Sequence, residues 1–141
     1  MKVRELLMTK RPGVLTIHPD QTVMDAVKLL AEHRIGAVVV SEDGKHPVGI
    51  LSERDVVREA AKRGADVFSG RISEIMTRNL VVALPEDEIP YLTNTMTEKR
   101  FRHMPVMEDG ELIGMISIGD VVKAQLVHYE GEIHTLQHHI D

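Results

Sequence analysis

Residues 34–44 read Arg-Ile-Gly-Ala-Val-Val-Val-Ser-Glu-Asp-Gly, and residues 100–110 read Arg-Phe-Arg-His-Met-Pro-Val-Met-Glu-Asp-Gly. Each stretch starts at an arginine, passes through an apolar run and closes on the same Glu-Asp-Gly. Working outward, the same spacing relates Pro19 to Pro85, Val14 to Leu80 and Val23 to Ile89. Past the turn the first copy carries one extra residue. Then Gly49-Ile50-Leu51-Ser52-Glu53-Arg54-Asp55-Val56-Val57 matches Gly114-Met115-Ile116-Ser117-Ile118-Gly119-Asp120-Val121-Val122. The lead-ins Leu7-Met8-Thr9 and Ile75-Met76-Thr77 correspond as well. Agreement spread over this much of the chain marks an internal duplication, which dictates the architecture before any single element is read.

Each copy reads as β-α-β-β-α. Short apolar stretches at Val14 to Ile17 and Leu80 to Leu84 are expected as first strands, each closed by a proline. Thr22 suits a helix N-cap with Asp25 in the first turn. Val23, Ala26, Val27 and Leu30 then form one apolar helical stripe, as do Ile89, Leu92 and Met96, with Pro90 tolerable only at a helix start. The β-branched run Val38-Val39-Val40 and its counterpart Pro105-Val106-Met107 are strands, followed by Asp43-Gly44 and Asp109-Gly110 as hairpin turns. Returning strands run over 48–51 and 112–116, and the last helices begin near Ser52 and Ser117, the first ending about Gly64. The expected division is 1–64 for the first repeat, 65–71 for a linker, 72–127 for the second repeat and 128–141 for an extended C-terminal helix. The fold class is α+β: two pseudo-twofold-related units in one compact module, packed face to face because one unit alone would bury little.

Composition narrows the function. The 141 residues carry a net charge of −5, whereas a nucleic-acid binder normally shows a basic face. No apolar run approaches the ~20 residues of a membrane span, and Met1 to Glu5 lead into no signal-peptide core. The sequence has no cysteine, so thiolate metal sites, disulfides and cysteine nucleophiles are out. A cytoplasmic protein that contacts neither membrane nor nucleic acid is expected. With two Phe, two Tyr and no Trp, the core must be aliphatic.

One phrase carries chemistry: Gly-h-h-Ser-x-x-Asp (h, apolar), at Gly49 to Asp55 and again at Gly114 to Asp120. It describes a strand entering a helix N-terminus. The glycine permits close approach of another backbone or a flat ligand. The serine sits where free N–H groups and the helix dipole favour phosphate. The aspartate, one turn in, can accept two hydrogen bonds, as a vicinal ribose diol offers. The plainer alternative is an ordinary N-cap serine with a dipole-friendly aspartate.

The duplicated phrase, the segment Arg102-His103-Met104-Pro105-Val106 and the Val3-Arg4-Glu5-Leu6-Leu7-Met8-Thr9 lead-in together resemble tandem CBS domains, the pair called a Bateman module. The resemblance covers residues 1–127 and is nearest to small stand-alone bacterial CBS-pair proteins. It implies a non-catalytic regulatory sensor, involved in energy sensing, with two clefts between the repeats for AMP, ADP or ATP, or else S-adenosylmethionine or NAD(H). In that family the motif aspartate binds ribose, the first strand and the pre-hairpin stretch hold adenine, and basic residues before the Pro-Val strand meet phosphate.

Carried over by position, the resemblance implies a cleft around Asp120 built from Ser117 and Met115, with Gly13, Val14, Leu15, Ile35, Gly36 and Ala37 opposite and Arg102 reaching in. A related cleft around Asp55 takes Ser52, Ile50 and Arg54, with Asn79, Leu80, Val81, Phe101, Arg102 and His103. The chain departs from the family in having Arg102-His103 where His-Arg is common, and in having Gly36-Ala37 and Val39 at the corresponding first-repeat positions. The clefts are therefore unequal. Gly36 and Ala37 leave room for a flat base, so the Asp120 cleft is expected to bind the nucleoside more strongly.

Other constellations are weaker. Glu130, His134 and His138 share a helical face but show no further ligand for a metal. Ser52, His103 and Asp55 lack any nucleophile elbow or oxyanion arrangement. Val122, Leu126, Tyr129, Ile133, Leu136 and Ile140 are spaced as a coiled-coil seam, interrupted by Gly131, which suits a homodimer or a helix folded back on its own domain. Three functions stay in play: an adenine-nucleotide sensor acting on an unidentified protein partner, a structural dimerisation protein with vestigial clefts, and, least supported, an enzyme using the nucleotide.

Overall fold

A computed structural model describes residues 1–126. The seam from Tyr129 onward and the Glu130, His134 and His138 group lie outside the described residues. The first unit holds β1 (Thr16–Ile17), α2 (Val23–His33), β2 (Ala37–Ser41), β3 (Pro47–Ser52) and α3 (Glu53–Arg63), preceded by α1 (Val3–Met8). A 3-10 turn, Gly64–Ser69, leads to α4 (Ile72–Ile75), α5 (Ile89–Lys99), β4 (His103–Glu108) and β5 (Glu111–Ser117). Residues 118–126 are helical and form α6.

The first sheet has strand order β1-β2-β3, with β1 parallel and β3 antiparallel to β2. The second holds only β4 and β5, antiparallel, with a bulge at Val106/Met107 that matches the one at Val40/Ser41. The first strands are shorter than the sequence suggests, and the second copy's is a single parallel bridge, Ala83 to Val106. Pro105 explains the difference. Its carbonyl accepts from Ala83 N–H at 2.8 Å and Met107 N–H donates back to the Ala83 carbonyl at 2.9 Å. The next rung upstream would need the N–H that proline lacks. Val39 stands at that position in the first copy and pairs with Thr16.

Local signals are obeyed closely. Thr22 and Asp25 form a reciprocal capping box at α2, with both hydrogen bonds at 3.1 Å. Pro90 lies in the first turn of α5. Arg34 and Arg100, which open the two repeated stretches, end their helices at positive φ, 55° and 60°. Asp109 and Gly110 both have positive φ and close a two-residue hairpin. The extra residue of the first copy lengthens its loop. There the Asp43 carboxylate accepts from the N–H groups of Lys45 and His46, both at 2.8 Å.

The core residues fall into two clusters rather than the one shared core that face-to-face packing suggests. The clusters do not follow the sequence repeats. Val3 and Leu6 of α1 are buried with Leu92, Met104 and Ile116 of the second unit. Ile72 of α4 and Met76 are buried with Val38, Val40 and Leu51 of the first. Paired backbone bonds seat each lead-in: Val3 N–H to the Asp87 carbonyl and Arg4 N–H to that of Pro85, against Ile72 N–H to Gln21 and Ser73 N–H to Pro19. Each lead-in helix closes the other repeat's core, and burying one such aliphatic side chain is worth ~1.5–3 kcal/mol. This exchange seats Met76 and Thr77 on Gly49 and Leu7 on Gly114, beside the two Ser-x-x-Asp turns.

Candidate functional site

The Ser-x-x-Asp phrase first does a structural job, twice. Ser52 Oγ accepts from Asp55 N–H at 3.1 Å, and Asp55 Oδ2 accepts from Ser52 N–H at 2.9 Å. Ser117 and Asp120 repeat this at 3.0 and 2.9 Å. Each pair caps a helix, as the plainer reading of the motif holds, and commits one carboxylate oxygen. The motif glycines serve chain packing. A Cβ on Gly49 would lie 2.7 Å from Met76 Sδ and 3.0 Å from the Thr77 carbonyl, and one on Gly114 would lie 2.7 Å from Leu7 Cδ2. The close approach is thus made by the lead-in segments.

A cavity of about 920 Å³ opens at the Asp55 end. Ile50, Ser52, Arg54 and Asp55 line it from the first repeat. Asn79, Leu80 and Val81 line it from the strand position of the second, and Phe101, Arg102 and His103 from the segment before the Pro-Val strand. All ten residues assigned to this cleft from sequence are therefore brought together. Gly36 and Ser117, assigned to the other cleft, line this one as well. Among the described residues Asp55 Oδ1 meets only Thr77 Oγ1, which donates to it at a long 3.5 Å.

Charge is the feature the sequence reading underestimated. Arg54, Arg58, Lys99, Arg100 and Arg102 line the cavity against two carboxylates, Glu53 and Asp55. Among the described residues none of these five cations is in an ion pair. A smaller recess of about 370 Å³ adjoins and shares Arg54, Arg100 and Arg102. Arg58 was discoverable, standing one helical turn after Arg54 and so on the same face. Lys99 and Arg100 were not, because only the left-handed helix end directs that part of the chain to the cavity. His103 does not add a cation. Burial lowers its pKa, outweighing the pull of Asp120 and Glu53, so the ring is neutral at pH 7.

The Asp120 end differs. Lys10 Nζ donates to the Met115 carbonyl at 2.6 Å and to Asp120 Oδ2 at 2.7 Å. Burial alone would raise the Asp120 pKa, but hydrogen bonds from Lys10 and Ser117 outweigh it and hold the carboxyl below its usual range. Ala37 is fully buried and Ile35 packs against the first core, so neither presents the surface expected of it. Gly36 faces the Asp55 cavity, and a Cβ on it would lie 3.2 Å from the His103 ring. Gly36 thus lies on the Asp55 side and gives the Asp120 end no open face for a flat base. Gly13 and Leu15 are exposed and Val14 half-buried.

Comparison with known proteins agrees with the architecture. The CBS domain family matches twice, over residues 3–62 and 72–127. A CBS domain-containing protein of Arabidopsis thaliana, CBSX3, described as mitochondrial, is 38% identical over 125 residues, which is 86% of this chain and 61% of that protein's length. The crystal structure of the CBS-domain containing protein ATU1752 from Agrobacterium tumefaciens superposes with a TM-score of 0.86 at 42% identity, covering 89% of this chain and 99% of that one. A CBS domain protein from Pyrobaculum aerophilum, PAE2072, solved in complex with AMP, gives a TM-score of 0.74 at 31% identity, over 85% of this chain and 89% of its own.

Proposed function

The chain belongs to the CBS domain family, and on that premise we propose that it is a non-catalytic regulatory module that binds a phosphate-bearing adenine nucleotide in the Asp55 cleft. The observation that carries this is the gathering of five cations on one cavity of an acidic chain. The cavity's volume, about 920 Å³, is in the range of small-molecule sites. The second carboxylate oxygen of Asp55 is the acceptor for a ribose diol. Phe101, Leu80 and Val81 supply apolar walls for a base. Arg54, Arg100 and Arg102 continue into the adjoining recess and suit a phosphate chain.

The same charge ranks the ligands. ADP and ATP bring the most phosphate charge, AMP less, and S-adenosylmethionine carries a sulfonium that these cations repel. NAD(H), with two phosphates, falls between. The complex of the Pyrobaculum relative with AMP supports an adenine ligand. An enzymatic reading has no comparable support, since Ser52 and Asp55 are bonded to each other as a helix cap and not through His103. Self-association accords with the exposure of Val57, Val122 and Leu126 on α3 and α6.

Thermal shift and calorimetry with ATP, ADP, AMP, NADH and S-adenosylmethionine test the proposal. A ligand at 100 times its Kd adds ~2.7 kcal/mol of stability. ATP and ADP should raise Tm most and S-adenosylmethionine least. Absence of any shift returns the chain to the structural dimerisation reading, and a larger shift with S-adenosylmethionine overturns the charge argument.

A further inference from the structure

The Asp55 cavity offers cations for phosphate and apolar walls for a base, but few of its side chains can tell one base from another. A base edge is a neutral pattern of adjacent donors and acceptors, so reading it takes a neutral group that offers both side by side. The uncharged polar side chains lining the cavity are Ser52, Thr77, Asn79, His103 and Ser117. The Ser52 and Ser117 hydroxyls accept from the N–H groups of Asp55 and Asp120 as helix caps. Thr77 donates its one hydroxyl proton to Asp55 Oδ1. The His103 ring packs on Gly36, on the strand paired with Ser117, and its two nitrogens stand on opposite sides of the ring. Asn79 has both groups adjacent, and among the described residues its carboxamide makes no hydrogen bond, whereas Thr77 and Arg78 beside it do.

We propose that Asn79 selects adenine in the Asp55 cleft, its carboxamide oxygen accepting from the N6 amine and its NH2 donating to N7. The inference rests on the nucleotide-binding reading above. Asn79 is two residues from Thr77, so at most about 7 Å separates them along the chain, and it directly precedes Leu80 and Val81. A ribose held by Asp55 stands beside Thr77, which places its base against Leu80 and Val81 with Asn79 at the edge. Arg78 leaves that edge clear, its guanidinium turned away to the Ser73 carbonyl at 3.0 Å. Guanine presents two acceptors, O6 and N7, along the edge where adenine presents a donor and an acceptor, so the amide satisfies only one of them. Arginine has the reverse preference because its guanidinium donates to both, which makes guanine the natural competitor in a cavity this rich in arginine. The offset that relates Val14 to Leu80 puts Gly13 at the matching place in the other copy, where no side chain can read a base.

Calorimetry on the native chain and Asn79→Ala decides it, with ATP, GTP and 7-deaza-ATP, which carries a carbon in place of N7. The native chain should bind ATP about fivefold more tightly than GTP, the low end of the range for a bidentate base contact because residue 79 is exposed. It should bind ATP about two- to tenfold more tightly than 7-deaza-ATP, the range for one hydrogen bond. Asn79→Ala should bind ATP more weakly and lose both preferences. Equal binding of ATP and 7-deaza-ATP by the native chain, tighter binding of GTP than of ATP, or preferences unchanged in Asn79→Ala overturns the assignment of Asn79 and leaves the nucleotide reading standing. No binding of any of the three by the native chain overturns the nucleotide reading, and the assignment with it.

Discussion

The Asp55 and Asp120 ends are built from one motif, capped by the same pair of hydrogen bonds, and differ in what surrounds the cap. At Asp55 a cavity with five cations lies open, and among the described residues the second carboxylate oxygen has a single, long 3.5 Å contact. At Asp120 a lysine from the N-terminal lead-in is seated on the carboxylate at 2.7 Å. A duplicated motif therefore guarantees a duplicated cap but not a duplicated site. The cap needs only residues three apart in sequence, whereas the site needs whatever the other half of the chain brings to it.

The exchange of lead-in helices is the part of this symmetry most open to attack. Ile72→Ala and Leu6→Ala each remove a buried side chain from the core of the opposite repeat, at a cost of ~2–5 kcal/mol. Urea unfolding should show similar losses for both. A loss below ~1 kcal/mol for either would mean that its half closes without the exchanged helix.

Next in size is the contrast between the aspartates. Asp55→Ala should weaken ATP binding by about 10- to 100-fold, the range for losing a hydrogen bond to a charged group. Asp120→Ala should leave ATP affinity at the Asp55 cleft unchanged while losing ~1 kcal/mol of stability with the α6 cap. This reverses the ranking expected from sequence. Calorimetry of both variants checks it, and a larger loss at Asp120 would restore the original order.

Phosphate recognition should give a smaller difference. The five cations are exposed, so each contributes little and is screened by salt. Arg58→Ala should weaken ATP roughly two- to fivefold at low ionic strength, weaken adenosine hardly at all, and lose its effect near 1 M salt. An equal effect on adenosine would assign Arg58 to the base or the ribose.

The smallest effect is in acid. The Asp120 carboxyl is depressed in the folded chain, so its ionised form favours folding. That contribution is complete above the unfolded aspartate pKa of ~3.9 and is lost as pH falls through the lower folded value. Lys10→Met should shift the acid-unfolding limb to higher pH by an amount worth less than ~1 kcal/mol at this partly exposed pair. An unmoved limb would show that Lys10 does not hold Asp120 in solution.

Periodicity, caps and turns are encoded by neighbours in the chain, and the sequence by itself determined them. The duplication, the Thr22 and Ser52 caps, the Asp-Gly hairpins, the helix stripe through Leu30 and the set of residues around Asp55 were all legible from short-range pattern or from family resemblance. The truncated first strand of the second copy was legible in principle, because Pro105 removes a rung, but the apolar run Leu80 to Leu84 hid it. Three features depended on the tertiary structure alone: the docking of α1 and α4 on each other's repeats, the convergence of Lys99 and Arg100 with Arg54 and Arg58, and the bond from Lys10 to Asp120. In Lys10 and Asp120 the contact joins residues more than a hundred positions apart. Neither has any local feature that names the other, and a lysine in a polar loop reads as solvated surface until the packing of Val3 and Leu6 brings that loop to the second motif.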